Sequence, residues 1–386
     1  MTKLTPTQEL VRAATVSRRR LLKSAVAIGA VGFVAPLTVE NAFSSSGELN
    51  FEGWAGYDSL KTNSMAKFEK ATGIKVNFKE AADQDVMLAD SKTAIQAGAV
   101  DVMEPTVNAL PSWNAEGVVQ AWDLSKLAPG NYLDGVPGSK AGDASEIGGK
   151  RLWVPSVWGT EALTFNTKTV DGTYGKIGLA DLFDDKYVGK VTLRGHSSLS
   201  AMGRVLDAAG KLPQPWTDGY KDEATMRKLW DIALAEAIKH KKNVAQFWAS
   251  ENEAQGAFLT NGAELGLTWD STGANLADKG YGFIAPKEGA FGWSQGFVLM
   301  TNAKNVDQAH EFAKFISTAE GASAWASDFK ANPVGKGGIE LMDPAVSKFY
   351  AAAYPGDALT KLWWWPAQPA WWTKTRGEYA DKWKSA

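Results

Sequence analysis

Leu49-Asn-Phe-Glu-Gly-Trp54, the segment from Ser59 to Thr72, and Ile74-Lys-Val-Asn-Phe78 follow one another and decide the fold class. The first and third stretches have the short, apolar character of β-strands, and the middle stretch places its apolar residues on one helical face. Gly73 is a typical helix stop. Because a strand–helix–strand unit implies parallel pairing, we predict an α/β domain with a doubly wound sheet.

The same alternation continues along the chain. We predict further helices over residues 85–97 and 225–241, and strands over residues 101–103, 190–193 and 264–268. Strands separated by helices favour a parallel or mixed sheet with flanking helices.

Two proline-containing stretches have the pattern of crossings between domains. The chain is expected to leave a first lobe near Pro155 and to return near Pro286, so that the two crossings form a hinge. The predicted lobes are residues 47–155 with 286–386, and residues 156–285. Hinge closure around a solute is a common use of such an arrangement.

The N-terminus has the pattern of an export signal. Ser17-Arg-Arg-Arg-Leu-Leu-Lys23 precedes an uncharged stretch over residues 24–37, and a bilayer span needs roughly 20 apolar residues, so this run is too short to be an anchor. We predict a Tat-type signal peptide and leader over residues 1–46, cleaved near Ala42 to Ser46, and a periplasmic mature protein. The alternative is a chance arginine cluster before a buried helix.

Composition excludes several classes of protein. The chain has no cysteine, which excludes disulfides, thiolate metal sites, a cysteine nucleophile and a lipid-modified N-terminal cysteine. A net charge of −2 gives no basic field for nucleic acid. The 17 tryptophans are the unusual feature, because their rings cover apolar groups or lie against cations.

Several chemically distinctive side chains follow directly on predicted strands. They are Trp54, Thr106, Arg194, His196, Trp269 and Asp270. Ligands of open parallel sheets bind beyond the carboxyl ends of the strands. We therefore predict one ligand cleft that these strand ends share.

The ordered series of motifs resembles the periplasmic spermidine/putrescine-binding proteins, which are the solute receptors of ABC importers. The resemblance covers nearly the whole mature chain and rests on residues 49–57, 68–76, 101–106, 154–159, 267–269 and 284–293. It implies the two-lobed periplasmic binding protein fold of type II, closing on a small nitrogenous solute. It also implies a monomer without cofactors that works with ABC permease subunits of the inner membrane.

The resemblance also implies contact residues. Trp54 and Tyr57 would be aromatics of the first lobe, and Thr106 would replace a serine hydroxyl. Trp269 and Trp293 would sandwich the alkyl chain or cationic nitrogen. Ser250 would occupy a polar contact position. Trp158, inside the first crossing, is a further candidate.

This chain departs from the family where the family binds ammonium groups. His196, Leu199 and Gln295 stand where carboxylates are expected, and Lys330 lies near the position of a tyrosine. A buried ammonium needs a charged or well-bonded partner, so a doubly charged polyamine should bind poorly.

The sequence leaves the charge of the solute open. Arg194, at a strand end before a serine-rich helix start, favours an anionic group, with a surface ion pair as the alternative. An aromatic cage with an added basic group suits a zwitterion. A polyamine requires Asp270 and Glu161 to replace the missing acids, and a purely anionic sulfonate, phosphonate or opine-like solute is the other alternative.

The cluster Trp363-Trp364-Trp365 with Trp371-Trp372 has three interpretations. It packs the C-terminal helix onto the first lobe, caps the cleft, or meets a transporter subunit, and we favour structural packing.

The remaining patterns argue against catalysis and against a metal site. His196, His240 and His310 include no i, i+4 pair, so we expect no metal site. Gly195-His-Ser197 only weakly echoes a nucleophile elbow, and we expect a binding protein, with an exported hydrolase as a distant alternative.

Overall fold

One mixed β-sheet organises the part of the chain that the computed structural model describes, residues 47–134 and 136–386. The predicted signal peptide over residues 1–46 lies outside the described residues. The strands are β1 Glu48–Trp54, β2 Lys75–Ala81, β3 Val102–Met103, β4 Val119–Gln120, β5 Glu146–Ile147, β6 Lys150–Arg151, β7 Trp153–Asn166, β8 Val191–Arg194, β9 Val244–Trp248, β10 Leu265–Trp269, β11 Tyr281–Ile284, β12 Phe291–Met300, β13 Asn332–Pro333 and β14 Trp363–Trp364. The helices are α1 Ser59–Thr62, α2 Ser64–Thr72, α3 Gln84–Ala97, α4 Leu110–Ala115, α5 Gly195–Ala208, α6 Glu223–Lys239, α7 Glu251–Leu259, α8 Asp270–Leu276, α9 Val306–Ser317, α10 Ala319–Phe329, α11 Pro344–Ala353 and α12 Trp372–Ser385.

The opening strand–helix–strand unit confirms the predicted parallel pairing of β1 with β2. Gly73 ends α2 in the left-handed conformation, with φ at 75°. The predicted single helix over residues 59–72 is divided at Asn63, whose Nδ2 donates to Asp328 Oδ1 at 3.0 Å. Ser64 N also donates to Asp328, at 3.1 Å, so a contact from α10 fixes the break.

The sheet has the order β2-β1-β3-β12-β7-β10-β8-β9. Within this order the outer groups of strands are parallel, while β12 and β7 in the middle run antiparallel to their neighbours and to each other. Outside this order, β14 pairs with β12 in parallel. The predicted strands over residues 190–193 and 264–268 are confirmed as β8 and β10.

Two hydrophobic cores lie at opposite ends of this sheet. The first core includes Phe51, Trp153 and Phe297, and the second includes Leu163 and Phe291. The long strands β7 and β12 therefore each pass from one core to the other. Together, β7 and β12 form a two-stranded ribbon, which holds the polar and aromatic side chains that lie between the two cores.

The ribbon has one irregular point. The register between β12 and β7 shifts between Gln295 and Gly296, where Gly296 pairs with Pro155. The Gly296 N–H donates to the Pro105 carbonyl at 3.2 Å, and proline has no N–H to donate. A side chain at Gly296 would collide with the Val154 carbonyl, so the close approach requires glycine.

The C-terminal helix α12 packs against the second core. Trp372 stacks on Tyr220 with ring centroids 3.9 Å apart, and Trp383 Nε1 donates to Ser198 Oγ at 3.0 Å. The expected structural packing of this aromatic segment is thus observed, but on helices α5 and α6 and not on the first core.

Candidate ligand-binding site

A cavity of about 400 Å³ lies where several strands end. Trp54 ends β1, Arg194 ends β8 and Trp269 ends β10, and all three line this cavity. It brings together most of the side chains that the sequence singles out, namely Trp54, Tyr57, Thr106, Glu161, Arg194, His196, Trp269, Trp293 and Gln295. Strand ends distant in sequence meet here because they share one edge of the sheet.

Three tryptophan rings form the aromatic wall. Trp269 meets Trp54 edge-on with centroids 6.1 Å apart, and it meets Trp248 in the same way at 4.9 Å. Trp54 Nε1 donates to the Glu104 carbonyl at 2.8 Å, and Trp248 Nε1 donates to the Leu267 carbonyl at 3.1 Å. These bonds fix the rings, so their faces are preorganised.

Glu104 supports this wall from the core. Its carboxyl is fully buried and accepts hydrogen bonds from Ser156 Oγ at 2.5 Å and Trp325 Nε1 at 2.9 Å. Burial raises the pKa of Glu104 to about 8, partly offset by these two donors. The protonated form therefore predominates at neutral pH.

Arg194 places a cation inside the aromatic wall. Its guanidinium carbon lies 4.9 Å from the Trp269 ring centroid and 5.5 Å from that of Trp248. Its Nη1 donates to Glu161 Oε1 at 3.3 Å, and Trp269 Nε1 donates to the same oxygen at 3.2 Å. Two tryptophan rings and the Glu161 carboxylate would suit the ammonium group of a ligand. In this structure the Arg194 guanidinium already occupies that position.

Buried polar atoms in the cavity wall lack protein partners. They are Glu161 Oε2, Trp293 Nε1, Gln295 Oε1 and Gln368 Oε1, among the described residues. An unpaired buried polar group costs about 1–3 kcal/mol. A solute that donates to these oxygens and accepts from the indole would remove that cost.

His196 stays neutral in this cavity. Burial lowers its pKa well below 6.5, and the charges of Arg376, Arg194 and Lys384 lower it further. The charged groups that act on His196 are thus all cations, although acids also line the cavity. His196 is the second residue of α5, in the first turn, where the helix dipole is positive.

Part of the wall comes from residues that were not predicted. Trp248 ends β9, so its position after a strand could have indicated it. Trp365 belongs to the tryptophan cluster for which a cap of the cleft was one interpretation, whereas Gln368, Arg376 and Lys384 stand in no pattern that indicates a cleft.

Four predicted contact residues lie outside this cavity. Ser250 caps α7, accepting from Glu253 N at 3.4 Å. The buried carboxylate of Asp270 accepts from Thr160 N at 3.0 Å, and burial raises its pKa. Trp158 lies 6.1 Å from the Trp364 ring, and Lys330 ends α10 with an exposed side chain. Their contact with a solute stays a prediction.

The described part of the chain contains neither a membrane-spanning helix nor a cluster of metal ligands. No helix in residues 47–134 and 136–386 is long and apolar enough to cross a membrane. Within the same part of the chain, no group of three or more histidine, aspartate or glutamate side chains is arranged to hold a metal ion.

The model of the bacterial extracellular solute-binding protein family matches residues 63–348. The chain therefore belongs to that family of solute-binding proteins. The α/β fold is the two-lobed fold of periplasmic binding proteins.

Individual relatives agree with this assignment. The spermidine/putrescine-binding periplasmic protein of Escherichia coli K12 is 28% identical over 270 residues, which cover 69% of this chain and 72% of that protein. The structure of the spermidine/putrescine substrate-binding protein PotD from Streptococcus pneumoniae matches with a TM-score of 0.67 at 18% identity, covering 88% of this chain and 98% of that chain. The periplasmic binding protein MotA from A. tumefaciens B6, in complex with glucopine, matches with a TM-score of 0.66 at 18% identity, covering 88% of this chain and 99% of that chain.

Proposed function

We propose that this protein is the periplasmic substrate-binding protein of an ABC importer and captures a small nitrogen-containing solute. The observation that supports this most directly is the rigid tryptophan wall beside Glu161, whose Oε2 is buried without a partner. Rings and an unpartnered carboxylate oxygen suit an amine or a methylated amine. Permease subunits of the inner membrane would receive the solute.

The two hydrophobic cores support a division into two lobes that close on the solute. We assign residues 47–155 with 286–386 to the first lobe and residues 156–285 to the second. Within the C-terminal stretch, α12 is fastened to the second core and should move with it. Movement about the β7–β12 ribbon would open and close the cavity.

The position of Arg194 favours a zwitterion over a polyamine. A polyamine relies on Asp270 and Glu161 for its charges, but Asp270 lies outside the cavity and Glu161 is already bonded to Arg194. The other acids that line the cavity are engaged within the protein: Asp83 and Glu253 cap helices, and Asp85 and Asp381 pair with Arg376 and Lys384. A zwitterion can give its anionic group to Arg194 and its amine to Glu161 Oε2. The ring faces would then cover its alkyl part.

An anionic solute, such as a sulfonate, phosphonate or opine-like compound, is the second candidate. It is favoured by the three cations that act on neutral His196, namely Arg194, Arg376 and Lys384. Opine binding by the related fold of MotA agrees with this alternative. An exported hydrolase has less support, because the Ser197 side chain is fully buried and does not line the cavity.

Thermal shift of the mature protein tests the proposal. Putrescine, spermidine, glycine betaine, taurine and glucopine would be screened against wild type, Trp269→Ala and Trp364→Ala. Trp364 is 43% exposed and outside the cavity, so its variant is the matched control. We expect at least one solute to raise the Tm of wild type and control but not of Trp269→Ala. An increase in Tm that persists in Trp269→Ala would refute this site. Mass spectrometry of the recovered solute is a separate test, and a changed mass would indicate a hydrolase.

A further inference from the structure

The C-terminal segment forms one wall of the cavity. Trp365, Gln368, Arg376, Ala380 and Lys384 all line it. The family match ends at residue 348, so this wall lies beyond the part of the chain that the family model covers. A Cβ placed on Gly195 would lie 3.3 Å from that of Ala380, which puts α12 directly over the start of α5.

Most bonds of α12 go to the second core side. Tyr379 Oη donates to Asp231 Oδ1 at 2.6 Å, and Arg227 Nη1 donates to Glu378 Oε2 at 2.9 Å. Lys241 Nζ donates to the Trp383 carbonyl at 2.8 Å. The helix is therefore attached to α6 and the chain that follows it.

A few contacts of the segment reach the other side of the cavity. The Arg376 guanidinium forms an ion pair with Asp85, in the first turn of α3. The side chain of Arg376 is 8% exposed and that of Asp85 is 39% exposed. Just before the helix, Gln368 N donates to the Asn108 carbonyl at 2.7 Å.

We propose that residues 365–384 are a strap across the ligand cavity and that the Arg376–Asp85 ion pair is the latch that holds it closed. The inference rests on the proposed hinged function, because α12 must separate from α3 when the lobes open. The pair then breaks, and a guanidinium that is buried in the closed form reaches solvent. In the closed form the pair satisfies that guanidinium in a partly buried setting, where a charge-assisted contact is strong.

The absence of cysteine from the chain allows a direct measurement. Exposed Lys67 on α2 and Lys228 on α6 would be changed to cysteine and spin-labelled, and electron-spin distance measurements would give the closed-to-open ratio without added solute. The same pair of labels would be placed on Arg376→Gln, on Asp85→Asn and on the charge swap Asp85→Arg with Arg376→Asp. Arg227→Gln is the control, because it removes an ion pair of α12 that does not cross the cavity.

We expect the closed-to-open ratio to fall on the order of tenfold in each single variant and to recover in the charge swap. The control should keep the wild-type ratio. Equal ratios in wild type and Arg376→Gln, including no closed form in either, would overturn the latch. Circular dichroism of each variant identifies misfolding. If Arg376→Gln misfolds, Arg376→Lys, which keeps the charge, replaces it. A closed-to-open ratio between those of wild type and Asp85→Asn then supports the latch, and a ratio equal to that of wild type overturns it. Failure of every solute in the thermal screen would contradict the proposed function and leave this measurement unaffected.

Discussion

Replacing Arg194 by alanine separates the zwitterion from the polyamine. In the structure this guanidinium lies over the Trp269 ring and donates to Glu161 Oε1. Its removal takes away the cation offered to an anionic group. It also leaves Glu161, which is 2% exposed, without its ion-pair partner.

The expected magnitude follows from the type of contact. A hydrogen bond to a charged group contributes about 1.5–3 kcal/mol, and about 1.4 kcal/mol is a factor of ten in affinity. A zwitterionic or anionic solute should therefore bind Arg194→Ala roughly tenfold to a hundredfold more weakly. A polyamine should bind the variant equally well or better, because a nearby positive charge is gone.

Isothermal titration of the solutes that pass the thermal screen measures both outcomes. Arg194→Lys is the matched control, since it keeps the charge but loses the planar, two-pronged donor. It should restore part of the affinity for an anionic group. Wild-type binding of putrescine or spermidine that becomes tighter in Arg194→Ala would refute the zwitterion.

Three other outcomes are expected. Changing Arg18, Arg19 and Arg20 together to lysine should leave folded protein in the cytoplasm, and normal periplasmic yield of that variant would remove the Tat assignment. Small-angle scattering should give a smaller radius with a tight solute than without it, and an unchanged radius would contradict hinge closure. Because the folded-state pKa of Glu104 is raised from 4.5 to about 8, the folded protein binds more protons in that range, so the free energy of unfolding should fall as pH rises through it. Urea titrations at several pH values should show a smaller decrease of the free energy of unfolding with pH in Glu104→Gln than in wild type. The same pH dependence in both proteins would exclude Glu104 as the cause.

The sequence predicted the strand ends of the cavity because local patterns determine them. Alternation and the Gly73 stop located β1 and β2, and the same reading placed Trp54, Arg194 and Trp269 at one edge. The strands β1 and β2 are longer than predicted, since pairing with neighbours extends a strand beyond its apolar centre. By contrast, β8 and β10 have their predicted lengths but lie one residue later, and β3 is shorter than predicted.

The prediction for Asp270 shows that the position of a residue at a strand end does not determine the direction of its side chain. Trp269 and Asp270 are adjacent, yet the indole faces the cavity while the carboxylate accepts from Thr160 N behind it. Trp269 is the last residue of β10 and Asp270 is the first residue of α8, so the backbone turns between them and the two side chains have different surroundings. Sequence placement fixes the neighbourhood of such a residue but not its direction.

The C-terminal wall could not be predicted because it depends on contacts between distant segments. Arg376 and Asp85 are 291 residues apart, and neither stands in a pattern that indicates the other. The tryptophans of residues 363–372 predicted packing correctly, but not the core on which they pack.

The pairing of Pro155 with Gly296 has a mechanical consequence for the β7–β12 ribbon. Elsewhere along the ribbon, cross-strand bonds resist sliding of one strand past the other, so shear is stiff. At this point proline lacks a donor and the glycine N–H is directed to Pro105, so bending is soft. Because the flexibility of the ribbon is concentrated where Pro155 pairs with Gly296, any relative motion of the two cores has a preferred axis at that point. Among the cavity side chains on the ribbon, Gln295 lies at this point, while Trp293 and Glu161 lie beyond it and would move together.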